Sequence, residues 1–352
     1  MVLSVKKILF SLLAVCLLCP SPAAQAADAA PKVQAQSAVL MSAGGQLLFE
    51  QEPDRMLPIA STTKLMTALV VLENCPLDRD VEIPADCCGI EGSSMYLSPG
   101  EHYSVQELLT GLLLASGNDA ACALACCCAG DIESFSALMN RRAQEIGMRN
   151  SHFTNPHGLN EAGHYSTARD MALLMREAMN NESFAALIAQ KSAVVGGQTL
   201  YNHNKLLDRC EGCLGGKTGF TQVAGRCLVS CVERGGTRFF CVTLADPDDW
   251  LDHEKLYDWA YASYEERVLS AQSLQFEVPV LSGERRQVQA VPAKTLRILA
   301  SRNVEIELHA ELPFYVFAPV AAGASAGTMR VCAGDELIAE IPLVYAEAVG
   351  VP

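Results

Sequence analysis

Along the 352-residue chain, apolar and polar positions alternate with periods that change from segment to segment. An apolar stretch from Ala38, a Ser42-Ala43-Gly44-Gly45 turn and a return over residues 46–50 predict a β-hairpin. Leu65, Met66, Leu69 and Leu72 recur at helical spacing, predicting a helix over 62–73. A second apolar helix is predicted over 105–115. The polar quartet Ser116-Gly117-Asn118-Asp119 interrupts it, and another apolar helix follows over 120–129. That break argues against a membrane span between Leu108 and Ala129, since a span needs roughly 20 apolar residues in a row.

Thr167 followed by Asp170 reads as the N-cap and third position of a capping-box-like start to a helix over 167–180. Residues 219–232 and 237–245 alternate around Gly235-Gly236, the signature of an antiparallel hairpin, and 252–266 reads as an aromatic-rich helix. Beyond about Ala271 the pattern turns to short alternating segments such as 304–308 and 336–344. The expected class is α+β: an antiparallel sheet with helices on both faces, then a small all-β C-terminal domain.

The N-terminus stands apart. Lys6 and Lys7 precede an apolar run from Ile8 to Cys19, and Ala24-Gln25-Ala26 is a small-x-small cleavage pattern. The run is too short to span a bilayer, so residues 1–26 are expected to be a signal peptide. A mature chain starting near Ala27 would work outside the cytoplasm, with one domain over 27–268 and a β-rich one over 269–352.

Composition narrows the function classes. Half the residues are hydrophobic and 19% are charged, too apolar a mixture for disorder. The net charge of −14, with no basic run, makes nucleic acid an unexpected partner. Cysteine is frequent, with 15 residues. Runs such as Cys87-Cys88 and Cys126-Cys127-Cys128 suit small apolar packing residues better than a disulfide framework.

Three short motifs carry chemistry: Ser61-Thr62-Thr63-Lys64 at a helix start, Ser116-Gly117-Asn118 between two helices, and Lys217-Thr218-Gly219 opening a strand. Singly they are weak, because Ser4 to Lys7 and Ser301 to Asn303 match the first two patterns as well. In this order and these settings they form the S-x-x-K, S-x-N, K-T-G set of active-site-serine acylases. Residues three apart share a helix face, so the Lys64 amine can reach the Ser61 hydroxyl. To accept a proton the amine must be neutral, which burial and a second cation, Lys217, both favour. Backbone N–H groups at the helix start and on the strand edge at Phe220 suit an oxyanion. Gly219 removes a side chain where a substrate strand must approach.

The sequence closely resembles the low-molecular-weight penicillin-binding proteins, specifically the serine D-alanyl-D-alanine carboxypeptidases. The segments 57–68 and 112–121 resemble their first two motifs. Phe153-Thr154-Asn155-Pro156-His157-Gly158-Leu159 and residues 163–170 match a further stretch. The resemblance implies that Ser61 is acylated, Lys64 is its base and Ser116 passes the proton to the leaving D-alanine. It further implies that Asn118 holds the substrate amide while Lys217 and Thr218, flanked by Gly219 and Phe220, receive the terminal carboxylate. The implied partners are peptidoglycan stem peptides ending in D-Ala-D-Ala, with β-lactams as covalent inhibitors and no cofactor or metal.

A DD-endopeptidase, a β-lactamase and a non-turnover penicillin sensor remain alternatives. Gly158-Leu159-Asn160-Glu161 holds the letters of a lactamase E-x-x-L-N loop in the wrong order. Membrane-bound members of the family end in an amphipathic helix. Residues 346–352 have no basic apolar face, which makes membrane attachment doubtful.

Other features read as structural. His157 and His164 are expected to serve the fold. Cys210 and Cys213 are spaced for a redox pair more than for a metal site, which would need two further ligands beyond His203. Trp250, Tyr257, Trp259, Tyr261 and Tyr264 are expected to form an interdomain seam.

Overall fold

The computed structural model describes residues 29–334 and 336–352. The predicted signal peptide, with Lys6, Lys7 and Ala24-Gln25-Ala26, lies outside the described residues. The chain opens with the hairpin β1 (Ser37–Ser42) and β2 (Leu47–Gln51), followed by α1 (Lys64–Asn74). A small ribbon, β3 (Asp80–Glu82) and β4 (His102–Ser104), leads into α2 (Val105–Leu114), α3 (Asn118–Ala129) and α4 (Ile132–Ile146). Next come α5 (Ala168–Ala178), α6 (Glu182–Ile188), the ribbon β5 (Ser192–Val195) and β6 (Gln198–Tyr201), and a single turn α7 (Leu206–Arg209). The strands β7 (Cys213–Thr221), β8 (Gly225–Arg234) and β9 (Thr237–Leu244) and helix α8 (Asp249–Ser263) complete the body.

One antiparallel sheet of order β2-β1-β9-β8-β7 divides this body. Because successive strand residues face opposite sides, each strand supplies two cores. Val39, Met41, Cys227, Val229, Phe240 and Val242 face the α1–α6 side. Leu40, Leu228, Val232, Phe239 and Cys241 face α8 through Leu256, Tyr257 and Ala260. Helices therefore cover both faces, as the alternation predicts. Helix α1 runs through the larger core and is buried from Lys64 to Val71. Strand β7 ends the sheet order, leaving one edge free for the site.

The remainder is all β: β10 (Tyr264–Leu269), β11 (Phe276–Leu281), β12 (Gln287–Pro292), β13 (Leu296–Ser301), β14 (Ile306–Glu311), β15 (Val316–Phe317), β16 (Ser325–Ala333) and β17 (Glu336–Tyr345). It has its own core, built on Val278, Val288, Met329, Val331, Ile341 and Leu343.

Several boundaries differ from the sequence expectation. The predicted strand over 219–232 is two strands. It turns between Thr221 and Gly225, where the Thr221 hydroxyl accepts the Ala224 N–H at 3.0 Å and Gly225 takes φ +67°. Alternation carries on through so tight a turn and hides it. Lys217-Thr218-Gly219 consequently lies inside β7 rather than at its start. The aromatic helix begins three residues earlier than expected, at Asp249, and its predicted end belongs to β10. Thr167 does cap α5, accepting the Asp170 N–H at 3.1 Å. The Asp170 carboxylate is engaged elsewhere, accepting from Asn150 N at 2.8 Å and Ser151 Oγ at 2.7 Å.

The 13 described cysteines are free thiols. Cys227, Cys231 and Cys241 are fully buried in the sheet, and burial pushes the Cys227 thiol up to about 12. Such thiols stay neutral and pack as small apolar groups. Among the described residues, no single helix is long and apolar enough to cross a membrane.

Candidate active site

The turn before α1 is a 3-10 turn, Ala60–Thr63, continuous with the helix. In such a turn residues three apart eclipse one another, and the Lys64 Nζ lies 2.9 Å from the Ser61 Oγ. The turn is held from several directions. Thr62 Oγ1 donates to Ile59 O at 2.6 Å and Thr63 Oγ1 to Ala60 O at 2.8 Å. Ala60 sits at φ +46°, and Gly158 lies so near that an added Cβ would be 1.9 Å from the Ala60 carbonyl oxygen. Backbone strain of this kind persists only where the surroundings over-determine it.

The polar break Ser116-Gly117 joins α2 to α3, with Ser116 buried at φ +61° and Asn118 as the first residue of α3. Asn118 Nδ2 donates to Glu91 O at 2.5 Å, which aims Oδ1 at Lys64 Nζ, 2.6 Å away. Asp119 draws the 93–97 loop to the same corner, accepting from Ser94 Oγ at 2.6 Å, Met95 N at 3.0 Å and Leu97 N at 3.1 Å. The third motif approaches from the sheet edge. A Cβ on Gly219 would lie 2.9 Å from Ile59 O and 3.0 Å from Ser61 N. Glycine is demanded there by the serine's own turn, whereas the sequence reading assigned the need for space to a substrate.

The environment of Lys64 favours its neutral form. Its Nζ has three partners: Asn118 Oδ1, His157 O at 2.8 Å and Ser61 Oγ. The first two only accept, and the third can donate. A neutral amine can donate to the two carbonyls and accept the serine O–H; an ammonium could donate to all three, so it is burial and a neighbouring cation that favour the neutral form. Burial, and then the charge of Lys217, hold the Lys64 pKa well below its ordinary value, against weaker opposition from Cys122 and Asp119. Burial brings Lys217 down to about 7. Its Nζ donates to Thr218 O at 3.0 Å and keeps further N–H capacity for an anion.

These groups border a cleft of about 370 Å³. Ser61, Ser116, Thr218, Gly219 and Phe220 line it, while Lys64, Asn118 and Lys217 are buried behind that surface. The eight residues singled out from sequence thus converge on one place. Ser93, His203, Lys205, Arg226, Asp249 and Trp250 complete the lining, and no motif marked them. Trp250 therefore belongs to the cleft and not to a seam. Tyr257 is a core residue bonded to Ser230 Oγ at 2.8 Å, and Tyr261 donates to Val232 O and Thr237 O, both at 3.0 Å.

The two histidines beside the site are hydrogen-bonded within the fold, His157 Nδ1 accepting the Leu159 N–H at 3.2 Å. His164 Nδ1 accepts the Thr154 N–H at 3.1 Å, so Nε2 carries the proton and donates to Thr63 Oγ1 at 2.8 Å. Burial lowers both His157 and His164 to about 4, keeping each neutral. Among the described residues no group of three or more His, Cys, Asp or Glu is placed to hold a metal ion.

A serine paired with a buried lysine, backed by a second serine and a lysine-bearing strand edge on this fold, defines an active-site-serine acylase of the penicillin-binding class. The chain belongs to the D-alanyl-D-alanine carboxypeptidase family Peptidase S11, whose pattern covers residues 24–248. Residues 264–351 match the C-terminal domain of penicillin-binding protein 5. D-alanyl-D-alanine carboxypeptidase DacF of Bacillus subtilis is 30% identical over 332 residues, covering 89% of this chain and 85% of that protein. Among solved structures, penicillin binding protein 5 from Haemophilus influenzae superposes with a TM-score of 0.75 at 29% identity, covering 91% of this chain and 98% of that one. Penicillin binding protein 6B from Escherichia coli gives 0.75 at 26% identity, with 91% and 98% covered.

Proposed function

We propose that the protein is an extracytoplasmic serine carboxypeptidase that removes the terminal D-alanine from peptidoglycan stem peptides ending in D-Ala-D-Ala. The observation that carries this reading is the Lys64 Nζ 2.9 Å from the Ser61 Oγ, its pKa lowered by burial and by Lys217. Lys64 takes the Ser61 proton as Oγ attacks the penultimate D-alanine carbonyl. The oxyanion is met by the N–H groups of Ser61 and Phe220. Ser116 relays a proton to the departing D-alanine amine, and Asn118 steadies the substrate amide. Lys217 and Thr218 hold the terminal carboxylate. Water then hydrolyses the acyl-enzyme. In this reading a catalytic domain over 27–268 is followed by a β domain over 269–352; the separate core of the latter supports two domains, and the pairing of β10 with β13 draws their boundary to the start of β10. The Glu161 carboxylate is occupied by Thr154 Oγ1 at 2.9 Å and Asn155 Nδ2 at 3.1 Å, which speaks against a lactamase role for that loop.

Incubation with a fluorescent penicillin should give a stable adduct that peptide mapping places on Ser61. In parallel, diacetyl-Lys-D-Ala-D-Ala should release D-alanine. Label without release identifies a sensor, and rapid loss of label with penicillin hydrolysis identifies a β-lactamase. Folded protein that takes no label overturns the reading.

The pH profile of kcat/KM follows from the two lysines. Carboxylate binding needs Lys217 protonated, and its pKa in the free enzyme is about 7. As pH rises through that value the site loses its cation, so kcat/KM falls, approaching tenfold per pH unit on the alkaline limb. Lys64 must be neutral to act as base, so an acid limb is expected, drawn downward by burial and by Lys217, which lower its pKa. Replacing Lys217 by Arg should remove the alkaline limb. A limb that persists in that variant would assign it to another group.

A further inference from the structure

Strand β7 passes the nucleophile in a defined direction. Gly219 abuts the Ser61 backbone; Lys217 and Thr218 lie on one side of that point and Phe220 on the other, with Arg226 opposite Phe220 in the register of β7 and β8. A substrate whose carboxylate rests on Lys217 and whose scissile carbonyl meets Ser61 must send its acyl portion toward Phe220 and Arg226. There the cleft wall is built from Arg226, Asp249 and Trp250.

Arg226 is fixed at that wall from two sides. Its Nε and Nη2 donate to Asp249 Oδ1 at 3.1 and 2.7 Å, and the Asp249 side chain is only 2% exposed. Its guanidinium lies 5.7 Å from the Trp250 ring centroid, within cation–π range. Nη1 makes no hydrogen bond among the described residues, and the side chain is 41% exposed to the cleft. Asp249 is already engaged by Arg226, and the remaining charged lining residue, Lys205, is a cation. A planar cation held rigid, with donors left over and no other anion in the cleft lining, suits a carboxylate.

We propose that Arg226, braced by Asp249 and Trp250, forms a subsite for a second carboxylate, carried on the acyl portion of the stem peptide. This rests on the carboxypeptidase reading and adds to it the substrate class: peptides that are acidic on both sides of the scissile bond. Phe220, whose side chain is 67% exposed, covers the aliphatic stem that brings the carboxylate to Arg226.

The test compares two peptides that differ only in that charge, Nα-acetyl-Nε-succinyl-Lys-D-Ala-D-Ala and Nα,Nε-diacetyl-Lys-D-Ala-D-Ala. Wild-type protein should favour the succinyl peptide about tenfold in kcat/KM, and added salt should erode the preference. Arg226→Gln should bring the ratio close to one, and Arg226→Lys should restore part of it. Because Arg226→Gln alone leaves the Asp249 carboxylate buried without its partner, the double variant Arg226→Gln, Asp249→Asn is measured beside it and should show the same collapse. A wild-type ratio near one, or a preference that survives in the folded variants, overturns the subsite. No D-alanine from either peptide overturns the carboxypeptidase reading itself, and the subsite with it.

Discussion

Replacing Lys64 by alanine lowers the rate of Ser61 acylation by about 10³- to 10⁴-fold, the contribution of a well-placed general base. Among the described residues the amine is placed to take the serine proton, 2.9 Å away, and its other two partners hold it there. The fold should survive, because the lost side chain is a buried amine whose removal relieves desolvation while leaving Asn118 Oδ1 and His157 O to a bridging water. Penicillin labelling and D-alanine release, each timed against a thermal-unfolding control, check the expectation. Acylation within tenfold of wild type would sink the assignment of Lys64 as base. A slower label with unchanged release would separate acylation from hydrolysis and point to a different base in the second step.

Gly158→Ala should cost about 3 kcal/mol or more of stability, and activity should fall further than the unfolded fraction explains. Two effects add. Gly158 sits at φ +89°, where a side chain is strained whatever the space. The new Cβ would also lie 1.9 Å from the Ala60 oxygen, 2.4 Å from the Ala60 carbonyl carbon and 2.8 Å from Thr63 Oγ1. Two of these are backbone atoms, so relief can come only by moving the turn that presents Ser61. Gly163→Ala is the control. It has nearly the same φ, +86°, but its nearest neighbour to a Cβ is 3.7 Å away, so it should cost about 1 kcal/mol and spare activity. Denaturant unfolding with kcat/KM corrected for folded fraction measures both. Equal effects at the two glycines would mean that contact with Ala60 has no part in placing the nucleophile.

The elements most legible in the sequence are those whose signal is local. The helix spacing of Leu65, Met66, Leu69 and Leu72, the Ser42 to Gly45 turn and the Thr167 cap each lie within a few residues, and the structure forms α1, the β1–β2 hairpin and α5 there. The errors share one cause. At Thr221 to Gly225 a turn kept the strand's alternation, so one strand was read where two exist. At Asp170 a side chain with the right spacing for a capping box found stronger partners in Asn150 and Ser151, which only the fold brings near.

By itself the sequence determined which side chains could do acyl chemistry. Ser61 and Lys64 share a helical turn because they are three apart, and the order of the three motifs names the family that the matches over 24–248 bear out. What only the tertiary structure decided is the state and reach of those groups. The Lys64 pKa is held down because α1 is buried from Lys64 to Val71 and because Lys217, distant in sequence, comes within electrostatic range through β7. Arg226, Asp249 and Trp250 carry no motif and become one wall only when α8 packs on β8. The reason is physical: periodicity and spacing are short-range properties of a chain, whereas desolvation and charge depend on everything folded around a group.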